Sequence, residues 1–175
     1  MILTIRPEHP EDVSAIREVI KMAFKTMPHS QHNEHLIVEA LRKDDALTLS
    51  RVAEEQGKII GYVAVSPVTL SNAEAGWYGI GPLAVSPHAQ SKGVGSKLMQ
   101  SVLNWLKENT KGCVLLGEPG YYSQFGFKAV EGLTFPGAPP EYFLSRSFTR
   151  YYPRARVTYH PGFYQNTAHG DANPA

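Results

Sequence analysis

The chain has 175 residues, of which 42% are hydrophobic, and this combination is typical of one compact domain with a sizeable core. Its 17 basic and 16 acidic residues give a formal net charge of +1, which excludes a chain-wide field that would attract nucleic acid or an anionic membrane. The single cysteine, Cys113, excludes an internal disulfide framework and a cysteine-rich zinc site. With no apolar run of transmembrane length, we expect a soluble, cytoplasmic protein.

A strand, two helices and a hairpin are predicted for the first part of the chain. Residues 3–6 alternate as in a short strand, and the helical spacing of the next apolar residues predicts a first helix. These residues are Val13, Ile16, Ile20 and Phe24. Asn33 is suited to cap a second helix. Two β-rich runs, 47–54 and 59–66, flank Gln56-Gly57 and indicate an antiparallel hairpin.

Residues 78–85 form an extended segment of unusual composition. Gly79, Gly81 and Pro82 would be poor choices inside an ordinary central strand, so something must approach this backbone closely. Residues 93–109 follow with the strongest helical periodicity in the chain, and we expect this helix to pack against the sheet. Its apolar positions are Val94, Leu98, Val102, Trp105 and Leu106.

The remaining elements are short. We predict a buried strand at 113–116, one or two helical turns at 120–125, a strand at 127–130 and an aromatic strand-like run at 142–148. The resulting order β, α, α, β, β, β, α, β, α, β indicates an α/β fold in a single domain, residues 1–165. The last ten residues, 166–175, have no periodicity and are predicted to form a flexible tail.

A glycine-bearing segment precedes the strongest helix and predicts an anion site. Glycines let backbone N–H groups turn toward a ligand, and the helix that follows adds unpaired donors and the positive end of its dipole. A pyrophosphate is the natural occupant. Lys92 and Lys97 either add positive charge or are solvated surface lysines, and the sequence leaves both interpretations open.

Two other phosphate-binding patterns do not fit the chain. A P-loop would need a glycine where Val52 stands ahead of Gly57-Lys58. Residues 79–84 match Gly-x-Gly-x-x-Ala, but Pro82 and the Ser86-Pro87 pair make a dinucleotide-binding helix implausible there.

Two landmarks resemble the GNAT acetyltransferase superfamily. Leu83-Ala84-Val85, followed after four residues by Gln90-x-x-Gly93-x-Gly95, resembles its acyl-CoA signature, and Tyr121-Tyr122 ahead of Gly126-Phe127 resembles its second landmark. The resemblance covers roughly residues 1–150 and is greatest to bacterial N-acetyltransferases without an assigned substrate. It implies a twisted mixed sheet flanked by helices, in which two strands splay apart to form the acyl-CoA cleft.

The resemblance also implies roles for individual residues. The backbone of residues 83–85 would bind the pantetheine arm like an added strand, with an amide there polarising the acetyl carbonyl, while the strand at 113–117 would splay away. Tyr122 would be the general acid that protonates the departing CoA thiolate. The expected acetyl-CoA-binding residues are Leu83, Ala84, Val85, Gln90, Ser91, Lys92, Gly93, Val94, Gly95, Ser96 and Tyr121.

Several residues keep a second interpretation. Tyr122 could instead be an aromatic residue at the edge of the core. A base that takes the amine proton could be Glu118, Glu74 or His88, and Glu118 is favoured because it follows the splayed strand, although it could simply solvate a turn.

Two further patterns are given structural interpretations. His29, His32 and His35 recur every three residues, but no fourth ligand stands nearby, so we expect a polar loop facing the substrate and no metal. The aromatic and basic residues from 142 to 156 indicate the edge of a β-rich core in preference to a nucleic-acid surface.

The sequence therefore predicts an N-acetyltransferase that moves acetyl from acetyl-CoA directly to a primary amine of a small molecule or peptide. No nucleic-acid or membrane partner is expected, and a homodimer is allowed because members of the superfamily often dimerise. The alternative is a non-catalytic acyl-CoA sensor or interaction module of the same fold.

Overall fold

The computed structural model describes residues 2–165, so the tail predicted at 166–175 lies outside the described residues. The helices are α1 (Val13–Phe24), α2 (Glu34–Lys43), α3 (Val94–Asn109) and the short α4 (Pro119–Tyr122). The strands are β1 (Leu3–Pro7), β2 (Leu49–Glu55), β3 (Lys58–Pro67), β4 (Thr69–Leu70), β5 (Trp77–Val85), β6 (Gly112–Leu116), β7 (Leu133–Thr134), β8 (Phe143–Ser147) and β9 (Ala155–Thr158).

A six-stranded mixed sheet forms the centre of the fold. Its order is β1-β2-β3-β5-β6-β8, and β5 and β6 are its parallel pair while the other neighbours are antiparallel. The predicted β2–β3 hairpin is confirmed. Its turn residues Gln56 and Gly57 have φ of 51° and 75°, the left-handed conformation that tight hairpin turns require.

Helices cover both faces of this sheet because β3 alternates its apolar side chains between them. Tyr62 and Ala64 pack with α1, whose Ile16, Ile20 and Phe24 are buried as their spacing predicted. Val63 and Val65 point to the opposite face and pack with α3. The mixed sheet flanked by helices is therefore confirmed.

A second, smaller sheet was not predicted. It has the order β4-β9-β7 and packs with α2 against one end of the main sheet, around the fully buried Trp77. Two of its strands have only two residues each, too short for an alternation pattern to show. The domain boundary at residue 165 stays a prediction.

The prediction of a strand at 127–130 was wrong. Lys128 forms only an isolated bridge with Ser145 of β8, and the neighbouring residues make no further strand pairing. Phe127 is nevertheless buried, since it fills the core beneath α3 from a loop. The helical turns predicted at 120–125 are confirmed, since α4 and a 3-10 turn at Ser123–Phe125 lie there. The strand predicted at 142–148 is confirmed as β8.

Within residues 2–165, no helix combines the length and the apolar content that crossing a bilayer would require.

Candidate functional site

The strands β5 and β6 diverge soon after they begin to pair. Their parallel pairing runs through Trp77–Gly112 and Tyr78–Cys113 and ends at Gly79–Val114. Beyond that point the rest of β5 has β3 on one side and no partner strand among the described residues on the other. The splay predicted for residues 113–117 is confirmed, and it opens a cleft along an edge of β5 that no strand pairs within the described residues.

An irregularity in β5 accompanies this divergence. Leu83 pairs with Val63 and Ile80 with Val65, so two residues of β5 stand opposite one residue of β3. The extra residue is accommodated at Gly81-Pro82, the pair that was out of place in an ordinary strand. A bulge of this kind reorients the backbone next to a cleft.

Residues 83–85 offer the cleft their backbone. Ala84 is 1% exposed, and its side chain packs with the buried residues of α1 on one face of the sheet. Leu83 and Val85 are half-buried and pack with the buried residues of α3 on the other face. These side chains hold the strand in place, while its unpaired edge supplies the hydrogen-bonding groups.

The loop that leads into α3 exposes a group of backbone donors. Ser91 and Gly93 adopt left-handed φ of 65° and 82°. The first helical hydrogen bond runs from the Lys97 N–H to the Gly93 carbonyl at 3.1 Å. The N–H groups of Val94, Gly95 and Ser96 therefore have no partner within the helix and lie at its positive end.

The side chains of this loop contribute unequally. Val94 is buried at 4% exposure, so only its backbone is available. Gln90 donates from Nε2 to the Val85 carbonyl at 3.2 Å, which ties the loop to the end of β5. Lys92 and Lys97 are exposed and form no ion pair with any residue of 2–165, so both interpretations of these lysines stay open.

Tyr121 closes over the first turn of α3. Its Oη lies 3.2 Å from Ser96 Oγ, within hydrogen-bond distance. A Cβ at Gly95 would lie 3.5 Å from that Oη and 3.6 Å from Val85 Cγ2. The structure thus brings the two sequence landmarks together, with Gly95 between Val85 and Tyr121.

Tyr122 stands at the end of α4, beside the splayed end of β6. Its ring meets Tyr121 edge-to-face at a centroid distance of 4.9 Å and also contacts Phe127. Burial, and secondarily Tyr121, raise the pKa of Tyr122 to about 12. The phenol is therefore protonated at neutral pH and can donate a proton. It also packs at the core edge, so both interpretations of this residue hold.

The three candidate bases differ in their surroundings. Glu118 is exposed at the start of α4, next to Tyr122, and its side chain forms no hydrogen bond or ion pair within residues 2–165. Glu74 accepts from Trp77 Nε1 at 3.3 Å and lies at the opposite end of β5. His88 Nδ1 lies 3.1 Å from Ser86 Oγ. Of the two carboxylates, Glu118 is the one next to α4 and Tyr122, and its role as a base stays a prediction.

The three histidines do not assemble into a metal site. His32 and His35 line a cavity of about 280 Å³ between α1 and α2, together with Lys21, Phe24, Lys25 and Glu34. The pKa of His35 is lowered, first by burial and then by Arg17. No group of three or more His, Cys, Asp or Glu in the described part of the chain could hold a metal ion.

A larger groove, of about 570 Å³, lies away from the cleft. It runs between α3 and the strands β1 and β2, with Arg51, Ser101 and Trp105 among its lining residues.

Sequence patterns did not indicate two residues near Tyr122: Gly117, on which the ring rests, and Arg146, which binds the turn that follows. A Cβ at Gly117 would lie 2.2 Å from Cε2 of Tyr122, so the ring rests on the glycine backbone. Arg146 donates from Nη1 to the Phe125 carbonyl at 2.9 Å and contacts Gly126. The alternation of β8, which places Arg146 on the same face as the buried Leu144, could have indicated the second residue.

Known proteins resemble the chain in sequence and in structure. The profile of the acetyltransferase (GNAT) family matches residues 14–127. The uncharacterised N-acetyltransferase YhbS of Escherichia coli K12 is 35% identical over 128 residues, which cover 72% of this chain and 74% of YhbS.

Two crystal structures share nearly the whole fold. A GNAT family acetyltransferase from Brucella melitensis, in complex with acetyl-CoA, has a TM-score of 0.83 and 44% identity, with coverage of 93% of this chain and 98% of that one. YhbS from Escherichia coli, in complex with CoA, has a TM-score of 0.84 and 31% identity over 94% of this chain and 93% of its own. The chain therefore belongs to the GNAT family of acetyltransferases.

Proposed function

We propose that the chain is an acetyl-CoA-dependent N-acetyltransferase that transfers the acetyl group directly to a primary amine. The observation that carries this proposal is the cleft between β5 and β6, which has free backbone donors at one end and the protonated Tyr122 beside it. The acetyl-CoA and CoA complexes of the two similar structures support it.

The residues present fit acetyl-CoA as the donor substrate. Gly93 has open space where a Cβ would stand, so the pyrophosphate can approach the N–H groups of residues 94–96. The unpaired edge of residues 83–85 can pair with the amide groups of the pantetheine arm as a neighbouring strand would. The thioester then lies deeper in the cleft, toward Tyr122.

The transfer step follows from this arrangement. The neutral amine nitrogen attacks the thioester carbonyl carbon, so a C–N bond forms while the C–S bond breaks. Tyr122 gives its proton to the departing sulfur, and the proton that the amine loses passes to Glu118, directly or through water. The products are an amide and CoA thiol, and solvent returns the proton to Tyr122.

The proposal also covers the acceptor substrate and the cellular compartment of the protein. The acceptor is a small molecule or a peptide with a primary amine. Cys113 is a free, buried thiol, as expected for a protein of the reducing cytoplasm. A homodimer stays a prediction.

The test is release of CoA thiol from acetyl-CoA across a panel of primary amines. We expect amine-dependent release, and we expect Tyr122→Phe to lower kcat by about 100-fold without weakening acetyl-CoA binding, because it removes only the proton donor. Tyr151→Phe, at an exposed tyrosine, is the matched control.

Two results would contradict the proposal. Binding of CoA without amine-dependent release at any pH would favour the acyl-CoA sensor or interaction module. Unchanged turnover of Tyr122→Phe would remove the acid from the mechanism.

A further inference from the structure

An arginine in the large groove between α3 and the strands β1 and β2 has no counter-ion. Arg51 is half-buried and lines this groove. Its Nη1 donates to the carbonyl and the hydroxyl oxygen of Ser101 on α3, at 2.9 and 2.5 Å. Its Nε and Nη2 have no hydrogen-bond partner within residues 2–165. Burial lowers the pKa of the guanidinium, and no carboxylate acts against this effect.

Three other arginines of the sheet and its helices are neutralised. Arg6, Arg17 and Arg42 each form an ion pair with a carboxylate, at N–O distances of 2.7, 2.6 and 2.9 Å. A charge withdrawn from water costs free energy unless an opposite charge and hydrogen bonds compensate it. Only one nitrogen of Arg51 is bonded within the described chain, and only to uncharged oxygens, so an anion in the groove would supply the missing partner.

Helix α3 places the other main lining residues in a row. Lys97, Ser101 and Trp105 follow one another every four residues, so they share one helix face at intervals of about 6 Å. Trp105 is half-buried, and its Nε1–H has no hydrogen-bond partner in the described part of the chain. Since Arg51 is bonded at Ser101, the groove combines two cations in one half with an aromatic ring in the next helical turn.

The groove is separate from the cleft of the donor substrate. The cleft opens between β5 and β6, whereas β1 and β2 form the other edge of the sheet, with β3 in between. The residues that line the groove include none of 83–85, 90–96 or 121–122. An inference about this groove therefore goes beyond the proposed function and does not depend on it.

We propose that the groove binds a small organic anion, with its carboxylate or phosphate between Arg51 and Lys97 and a flat ring against Trp105. The planar guanidinium matches two oxygens of either anion, and the indole offers apolar area and one N–H donor. Glu108 lines the other end, about 16 Å from Lys97 along α3, and disfavours a second negative charge there.

The test is titration of the full chain, without acetyl-CoA, with phenyl phosphate and with phenylacetate. Binding is followed in ¹H–¹⁵N correlation spectra, where the two tryptophans give two indole signals. Trp77 is buried and donates to Glu74 at 3.3 Å, and Trp105→Phe identifies the other signal by its loss. We expect the Trp105 signal to shift to saturation while the Trp77 signal stays in place.

Two further ligands separate the roles of charge and ring. Inorganic phosphate lacks the ring, and benzyl alcohol lacks the charge. Each should bind about 10-fold more weakly than phenyl phosphate, because each loses one of the two contacts. The comparison of phenyl phosphate with phenylacetate shows which anion the groove prefers, and tighter binding of either one supports the inference.

Variants test the cations directly. Arg51→Gln should raise the Kd for phenyl phosphate by about 10- to 100-fold, since it removes a charged donor pair. Lys97→Gln, which leaves the contact between Arg51 and Ser101 intact, should raise it by a smaller factor. Arg17→Gln is the matched control, because Arg17 lies on α1, across the sheet, and already pairs with Glu39. An unchanged Trp77 signal shows that each variant is folded.

Three results would overturn the inference. They are no shift of the Trp105 signal with either ring-bearing anion, the same Kd for wild type and a folded Arg51→Gln, and inorganic phosphate binding as tightly as phenyl phosphate. None of them bears on CoA thiol release in the amine assay, so the proposed function and this inference fail separately.

Discussion

At the scale of single residues, the position of the Tyr122 phenol depends on a glycine. The ring rests on the backbone of Gly117, and Tyr121 and Phe127 contact its other sides. Because Tyr122 is only half-buried, a side chain added at Gly117 would displace the ring toward solvent and leave the core intact.

We expect Gly117→Ala to lower kcat by about 10- to 100-fold, because the new Cβ would force the phenol out of place and small displacements of a catalytic group cost that much. The Kd for CoA should change little, since the loop before α3 is untouched. Turnover and calorimetric binding measure the two effects.

Gly120→Ala is the matched control, because a Cβ there meets nothing within 4 Å. Equal kcat values for the two alanine variants would show that Gly117 does not position Tyr122.

At the scale of elements, an ion pair fixes the passage from β1 to α1. Asp12 accepts hydrogen bonds from Arg6 at 2.7 and 3.1 Å and from the His9 N–H at 2.6 Å. The bond from Arg6 is the main cause that lowers the pKa of Asp12 below its ordinary 3.8. Arg6 also reaches Glu54 on β2.

We expect Asp12→Asn to lower the free energy of unfolding by about 2 kcal/mol at pH 7, the usual worth of a hydrogen bond to a charged group. Because the folded-state pKa of Asp12 is depressed, its contribution is complete above about pH 4 and is lost as the pH falls through the folded-state pKa. Urea unfolding of both proteins from pH 7 to pH 2 would measure this loss.

The control for this change is Glu11→Gln, which alters the same charge at a neighbouring exposed position. If the difference in free energy of unfolding between wild type and Asp12→Asn stayed constant down to pH 2, the pKa of Asp12 would not be lowered in the folded protein.

At the scale of the whole molecule, the small sheet and the large sheet share one cluster. Trp77 from β5 lies in it with residues of α2, β6 and β9, and its ring covers Gly112. The paired end of β5 and β6, from which the cleft opens, is therefore stabilised by residues of both sheets.

We expect Gly112→Ala to destabilise the protein by about 3 kcal/mol, since the added Cβ would lie 2.4 Å from Trp77 Cη2 and 2.8 Å from the Arg146 carbonyl oxygen. The carbonyl belongs to β8 backbone and cannot move aside cheaply. Guanidinium unfolding, followed by tryptophan fluorescence and circular dichroism, would measure the loss.

Both probes should report a single transition, because the sheets share their core. Two separate transitions would contradict the shared cluster. If Gly112→Ala lowered the free energy of unfolding no more than Gly120→Ala does, the predicted clash would be contradicted.

The sequence by itself determined the elements whose physical cause is local. The spacing of Ile16, Ile20 and Phe24 predicted α1, the turn residues Gln56-Gly57 predicted the hairpin, and Gly93 marked the loop before α3. Helix periodicity and left-handed turns depend on neighbouring residues, so a single chain displays them directly.

Only the tertiary structure decided which distant segments meet. It paired β4 with β9, reduced the strand predicted at 127–130 to an isolated bridge beside β8, and set Tyr159 over Gly79 and Tyr122 on Gly117. Such contacts follow from the closest packing of all elements together, and no local pattern encodes them. The segments 83–85 and 90–96 could thus be proposed for the donor substrate from sequence, whereas the contacts that hold Tyr122 in place came only from the tertiary structure.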